Sequence, residues 1–469
     1  MDWHDIVFRI MMNEKETITL PACALGALSL LEKAGYEAWC VGGFVRDSIM
    51  GRPVSDIDIA TSALWQEVQT VFESAGLRTH ETGISHGTIT VMVEGEPIEI
   101  TTYRNDGEYS DCRRPDEVSF VKTIEEDLAR RDFTINAIAY HPERGFCDPY
   151  GGRSDIAAQI IRAVGKPQMR FGEDALRILR AVRFSAQLGF SIEEVTFEAM
   201  RTQKTLLARI AKERVFHELD AFVCGKAVEA ALIESIEVIE EVIPELSPLK
   251  GFDQKTPYHI YDVLKHTAVC MQNTPPVPLV RWAALFHDIG KPASFSVDEA
   301  GVGHFYGHAK VSTKIAKEIM SRLRFPLALK AEIATLVTYH DYVFASTPKA
   351  VKRMLQKLGG RVDLLEALLD LKRGDCAAQA PQFLERVELT KEIGETLASI
   401  LEAQEAFALH NLAIKGSDVI ALGIEAGPHV GVLLQAALDA VIDEKVANEK
   451  PAILVYLQEE ELPRKTALS

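Results

Sequence analysis

The sequence predicts an α+β protein, with a mixed α/β head over residues 1–150 followed by helical regions at 151–220, 221–345 and 346–469. Three observations predict this. Residues 87–93 (GTITVMV) and 98–103 (IEITTY) carry strand signals, with β-branched residues in short alternating runs. The stretch 41–62, VGGFVRDSIMGRPVSDIDIATS, sets a glycine pair ahead of a strand-like DIDIA. From residue 171 onward, apolar residues recur at helical spacing instead, as in FGEDALRILRAVRFSAQLGF (171–190).

In chain order, 21–35 reads as a helix with Leu25, Leu28 and Leu31 on its apolar side, leading into the strand AWCVGG. Asp56 and Asp58 follow with one residue between them, so on a strand they share a face. Paired carboxylates suit magnesium (Mg2+), which takes one or two carboxylates and fills its shell with water and substrate phosphates. The Gly42-Gly43 turn lets the backbone approach phosphate oxygens, and Arg46 adds a fork-shaped donor. Each feature alone has a plain alternative, an exposed strand edge or an ordinary turn. After Asp58, Thr61 or Ser62 is placed to cap a helix.

The whole 41–62 stretch resembles the signature of the nucleotidyltransferase family that includes tRNA CCA-adding enzymes and bacterial poly(A) polymerases. The resemblance implies a polymerase-β-like head in which Asp56 and Asp58 bind the catalytic metals, Gly43 belongs to the nucleotide site, and Glu99 stands where a third metal-facing carboxylate would. An exposed strand glutamate is the other reading of Glu99. The polar stretch 104–121 reads as a loop, and the resemblance implies a flexible one bearing Arg113, Arg114, Asp116 and Glu117.

The segment EEDLARRDFTINAIAY (125–140) sets Arg130 and Arg131 beside an apolar run, where one arginine pairs internally and the other meets ligand. In the resembling family the second of the two contacts the nucleotide phosphates, which is Arg131; a salt bridge to Asp127 or Asp132 is the alternative. Arg177, Arg180 and Arg183 recur every three residues along 171–190, either as a solvated stripe or, by resemblance to an EDxxR motif and its basic helix, as part of a base-binding helix. Asp174 and Arg177, three apart on a helix, can reach one point. A carboxylate accepts from the exocyclic amino group that cytosine and adenine share, while guanidinium donates to the adjoining ring acceptor. Uracil and guanine present the wrong pattern. Arg180 and Arg183 then face phosphates or orient the base. ARIAKERVFHEL (208–219) resembles the family's neck region.

Between 259 and 340 histidines are concentrated: His266, His287-Asp288 in FHDIGKP, His304, His308 and His340-Asp341. The series resembles the HD phosphohydrolase superfamily, which implies a second divalent metal held by His266, His287 and Asp288, with Asp341, His308 or His340 completing the set. The alternative is an HD fold kept as an RNA scaffold without metal. Beyond 345, basic residues punctuate helical periods, as a tRNA-binding face or a solvated one, and 412–431 offers either a phosphate-binding turn around Lys415 or simple helix packing.

Composition narrows the classes. No apolar run approaches the ~18 residues of a membrane span, and the N-terminus lacks a signal-peptide pattern, so no membrane and a cytoplasmic setting are expected. The seven scattered cysteines form no CxxC pair, against a disulfide framework or zinc cluster. A net charge of −17 requires any RNA contact to come from local basic patches. The implied activity is template-free addition of CCA to the tRNA 3′ end from CTP and ATP, by two-metal phosphoryl transfer. An A-adding enzyme, a poly(A) polymerase and an HD phosphohydrolase stand as alternatives, and the oligomeric state is open.

Overall fold

The computed structural model describes residues 17–54, 56–84, 87–106, 118–383 and 385–461; the loop residues Arg113, Arg114, Asp116 and Glu117 lie outside them. The chain forms two compact units, residues 1–222 with 234–242, and residues 223–233 with 243–469.

The first unit is built on a seven-stranded mixed sheet. Its strands are β1 (Ala38–Val41), β2 (Ile57–Thr61), β3 (Thr79–Gly83), β4 (Thr88–Val93), β5 (Glu96–Thr102), β6 (Ala139–His141) and β7 (Gly145–Cys147), in the order β3-β4-β5-β2-β1-β6-β7. All four residues of β1 are buried, as a central strand requires. β2 and β5 run parallel with Asp58 opposite Glu99, which puts both side chains on one face. On that same face Ala60 packs with Trp39, Val41, Tyr103 and Leu128, an apolar floor below the carboxylates.

Three local expectations are corrected. The first helix, Ala22–Lys33, buries Ala24, Ala27, Leu28 and Leu31 but leaves Leu25 42% exposed, because the 24-27-28-31 spacing keeps to one face and Leu25 falls off it. The helix after β2 is Trp65–Ser74, entered through Leu64, whose N–H donates to Glu67; Thr61 instead ends β2 and donates to the Glu37 carbonyl. The 171–190 segment is two helices, Pro167–Glu173 and Leu176–Leu188, broken where Asp174 is extended (φ −135°, ψ 103°).

In the second unit, helices Val263–Gln272, Pro278–Phe286, His308–Arg322, Leu327–Tyr339 and Val362–Ala377 pack on one another, with a short ribbon of Ser296–Val297 against Gly303–His304. Several of the basic residues read as a surface face pair with acids: Lys352 with Glu405, Arg353 with Asp439 and Asp443, and Arg361 with Glu332. Segment 412–431 contributes Val419 and Val430 to a core with Leu433 and Leu438, which is the packing alternative. Among the described residues no helix is long and apolar enough to cross a membrane.

Candidate active site and a second candidate metal centre

A cavity of about 840 Å3 opens in the first unit above the edge of β2. Eight arginines and four aspartates line it, so the local balance is basic in a chain that is acidic overall. Of the residues predicted for nucleotide and metal, Gly43, Arg46, Asp56, Asp58, Arg131, Asp174, Arg177, Arg180 and Arg183 all line it. Glu99 does not, although it stands directly across from Asp58.

Asp58 is half-buried in β2, and Asp56 is exposed just ahead of the strand. Burial pushes the Asp58 carboxyl up to about 6; Arg131 opposes the rise, while Glu99 and Asp56 add to it. Three carboxylates whose mutual repulsion is relieved by a cation, with oxygen as the only donor atom, fit magnesium. The glycine turn makes the approach possible. Gly42 has φ +69° and ψ −139°, a region that side chains avoid, and a Cβ there would lie 2.9 Å from an Arg131 nitrogen and 3.5 Å from Asp58 Oδ2.

The arginines are held rather than free. Arg46 donates to Asp47 at 2.8 and 3.1 Å and to Asn136 at 2.7 Å. Arg130 and Arg131 both pair with the buried Asp127, at 2.8 and 3.1 Å, where the sequence expected only one of them to be tied down. Burial alone would raise Asp127, yet the two guanidinium groups hold it below the usual carboxylate range. Asp132 pairs with Arg180 at 2.7 Å, and Arg183 with Glu218 at 2.6 Å, so the expected stripe is neither solvated nor unpartnered.

Asp174 and Arg177 lie at one rim of the cavity, but from the break between helices and not from one helix. Asp174 accepts from Leu176 N–H at 3.0 Å and from Arg214 at 2.8 Å. Arg177, 8% exposed, donates to Glu173 at 2.6 Å and to the Arg170 and Arg130 carbonyls, each at 3.1 Å. Sequence reasoning missed Arg214, which arrives from the helix Lys212–Val223; its only signal was its position inside the neck-like 208–219 segment. It also missed Asn136 and Phe184.

The second unit gathers His266, His287 and Asp375 in one group and Asp288, His308 and His340 in another. Asp288 sits between them: Oδ2 is 3.3 Å from His266 Nε2 and 3.1 Å from His287 Nε2, and Oδ1 is 3.4 Å from His308 and 3.8 Å from His340. Each imidazole is oriented by the main chain, with Nδ1 against the carbonyls of Ala378, Ala284, Phe305 and Val337 at 3.2, 2.7, 2.9 and 2.7 Å. A carbonyl only accepts, so each Nδ1 donates its proton outward and each Nε2 is left facing the centre of the cluster. Facing Nε2 atoms 3.0 Å apart (His308, His340) and 3.3 Å apart (His266, His287) repel unless a proton or a cation lies between them. That donor set fits divalent metal ions.

Asp341, in the turn after helix Leu327–Tyr339, is exposed and belongs to neither group, although it lines the cavity beside them; Asp375, from helix Val362–Ala377, is the carboxylate grouped with His266 and His287. His304 pairs with Asp298 at 2.8 Å, away from the centre. Lys291 reaches Asp288 Oδ2 at 2.6 Å, and with Arg386 and His259 it lines an adjoining cavity of about 310 Å3.

Three family models match the chain: "Poly A polymerase head domain" at residues 38–162, "Probable RNA and SrmB- binding site of polymerase A" at 189–249, and "HD domain" at 258–370. A CCA-adding enzyme of Geobacillus thermodenitrificans is 36% identical over 438 residues, covering 93% of this chain and 96% of the relative. One from Lactobacillus gasseri is 33% identical over 440 residues, covering 92% and 96%. Among solved structures, the Bacillus stearothermophilus CCA-adding enzyme in complex with CTP superposes with a TM-score of 0.71 at 31% identity, covering 95% of this chain and 98% of that one.

Proposed function

From the premise that the chain belongs to the CCA-adding enzyme family, a family of tRNA nucleotidyltransferases, we propose how its residues carry out the addition of CCA to the tRNA 3′ end from CTP and ATP without a nucleic-acid template. The observation that carries the proposal is that the aspartate pair and the Asp174–Arg177 pair line one cavity. Residues 1–150 act as catalytic head, 151–220 as neck, 221–345 as body and 346–469 as a tRNA-binding tail, working in the cytoplasm.

Asp56 and Asp58, with Glu99 across from Asp58 on the neighbouring strand, would hold magnesium. Bound there, the metal would supply Lewis-acid activation of the tRNA 3′-hydroxyl and charge neutralisation at the α-phosphate. The 3′ oxygen attacks the α-phosphorus, its proton passes to water, the bond to the β-phosphate breaks and pyrophosphate leaves. Arg46 and Arg131 face the triphosphate and stabilise the charge that spreads over it. Asp174 keeps lone pairs beyond those used by Leu176 and Arg214, and accepts from the exocyclic amino group of cytosine or adenine. Arg177, fixed by Glu173 and two carbonyls, donates to the neighbouring ring acceptor. A base with a carbonyl at the amino position meets an oxygen facing an oxygen.

The test uses labelled tRNA transcripts that lack CCA, CA or only A, each given CTP, ATP, UTP and GTP singly, with products resolved at single nucleotides. Addition of C, C and A followed by arrest is expected. Extension of only the CC-ended transcript, by one A, would make the protein an A-adding enzyme, and long A tracts would make it a poly(A) polymerase.

A second reading rests on the convergent imidazoles. His266, His287, Asp288, His308, His340 and Asp375 hold divalent metal, and the unit hydrolyses phosphoesters, with Lys291 and Arg386 facing the phosphate. Hydrolysis of p-nitrophenyl phosphate by manganese- or nickel-loaded protein, lost in Asp288→Ala and kept in Asp58→Ala, is the expected result; no hydrolysis with either metal would remove this reading.

A further inference from the structure

The cavity of the first unit has two halves from distant parts of the chain. Arg46 comes from the short helix Gly43–Ile49 after the glycine turn, and the base-side arginines come from helix Leu176–Leu188. One hydrogen-bonding side chain joins them. Asn136, buried at the end of the 3-10 turn Thr134–Asn136, accepts from Arg46 through Oδ1 at 2.7 Å and donates through Nδ2 to Asp132 at 3.1 Å. The other oxygen of Asp132 accepts from Arg180 at 2.7 Å, and Arg180 and Arg183 meet at Glu218, at 3.9 and 2.6 Å. The hydrogen-bonded route therefore runs Arg46, Asn136, Asp132, Arg180, and a looser ion pair carries it on to Glu218 and Arg183.

A second route runs beside it. The guanidinium of Arg46 lies 5.2 Å from the centroid of the Phe184 ring, and those of Arg180 and Arg183 lie 5.5 and 4.1 Å from the same ring. Phe184 belongs to the base-side helix and is 5% exposed. Arg46 thus bears on that helix both through an amide and through an aromatic face.

The chemistry at position 136 is narrow. An amide accepts from a cation on one side and donates to an anion on the other without adding a charge. Aspartate there would keep the acceptor for Arg46 but set a carboxylate oxygen against Asp132; alanine would leave both charged groups short of a buried partner. Asn136 and both its side-chain partners line the cavity, so these hydrogen bonds serve the site rather than a remote core.

We infer that Asn136 is a positioning residue for nucleotide selection: it ties the arginine that faces the triphosphate to the helix that reads the base, so one incoming nucleotide sets both. This rests on the reading of the cavity as the nucleotide site. Grip on the phosphates and discrimination of the base are then coupled, and loosening the joint relaxes both.

The experiment measures KM and kcat for CTP on tRNA lacking CCA, for ATP on CC-ended tRNA, and the ratio of UTP to CTP incorporation, in wild type, Asn136→Asp, Asn136→Ala and Phe184→Leu. Asn136→Asp is expected to behave like Asn136→Ala, with KM for CTP and ATP raised roughly tenfold, the size of one buried hydrogen bond lost, and with a raised UTP-to-CTP ratio. Phe184→Leu keeps an apolar side chain in place and raises the same ratio less. The ratio is internal to each sample, so a partly unfolded preparation does not move it. Wild-type ratios and KM values in both Asn136→Asp and Phe184→Leu would overturn the inference even with a lower maximal rate. Wild-type protein that adds no nucleotide, or Asp58→Ala that still adds them, would instead overturn the reading of the cavity.

Discussion

In the first unit the arginines around the cavity are oriented mainly by carboxylates, as Arg130 and Arg131 are by Asp127 and Arg180 by Asp132, with Arg177 held by two carbonyls besides Glu173, whereas in the second unit each imidazole of the histidine cluster is oriented by a main-chain carbonyl. A guanidinium carries five N–H donors, so one held by a side chain can keep that partner and still donate to a ligand phosphate or base. An imidazole held by a main-chain carbonyl cannot turn without losing that bond or moving the backbone. Burial follows the same division: Asp58 is half-buried beside an open cavity, while Asp288 is 1% exposed and His266 and His287 are fully buried. The first arrangement suits ligands that come and go, and the second suits an ion that stays.

The largest effect separates the two centres by deletion. Asp58→Ala should lower C and A addition by roughly a thousandfold or more, the scale of a lost charge stabiliser in phosphoryl transfer, while tRNA binding and metal binding by the histidine cluster are unchanged. Single-turnover addition assays and calorimetric titration of manganese read the two sides. A variant with near-normal turnover would remove the aspartate pair from the mechanism.

A smaller effect sharpens the second centre. Asp375→Asn should weaken manganese binding by at least about tenfold, since even groups outside a metal's own ligands cost that much, whereas Asp341→Asn should leave it unchanged. The reverse result would restore Asp341, next in sequence to His340, over the partner that helix packing supplies.

What the sequence disclosed follows how local each feature is. GG…RD…DxD, RRDFT and HD are words of a few adjacent residues, and adjacent residues share an element, so their chemistry is readable before the fold is known. Asp375 lies 88 residues after His287 and meets it and His266 only because helix Val362–Ala377 packs on Val263–Gln272 and Pro278–Phe286 (375 − 287 = 88). Nothing in the local pattern marks it out from any other helical aspartate. Arg214 and Asn136 were missed for the same reason, since each is defined by partners 40 and 90 residues away. The break at Asp174 was missed because Glu173, Ala175 and Leu176 are all compatible with an uninterrupted helix; the Leu176 N–H and Arg214 hold Asp174 out of it, and the second of those is tertiary.

The smallest effect tests whether the carboxylates of the first unit really are the holders. Asp132 is buried, which by itself would raise its pKa, but Arg180 first and then the Asn136 amide outweigh burial and bring it from 3.8 down to about 2. The unfolded chain then binds a proton at a higher pH than the folded one does. Stability from this group is therefore complete above about pH 4 and is lost as pH falls toward 2, with a slope of at most about 1.4 kcal/mol per pH unit for one proton. A carboxyl-carbon NMR titration of Asp132 in the folded protein should show a midpoint near 2, moving upward in Asn136→Ala as one donor is removed. A midpoint at or above 3.8 would mean that Arg180 is not tied to Asp132 in solution, and the contrast between side-chain-held arginines and main-chain-held imidazoles would fail at its first member.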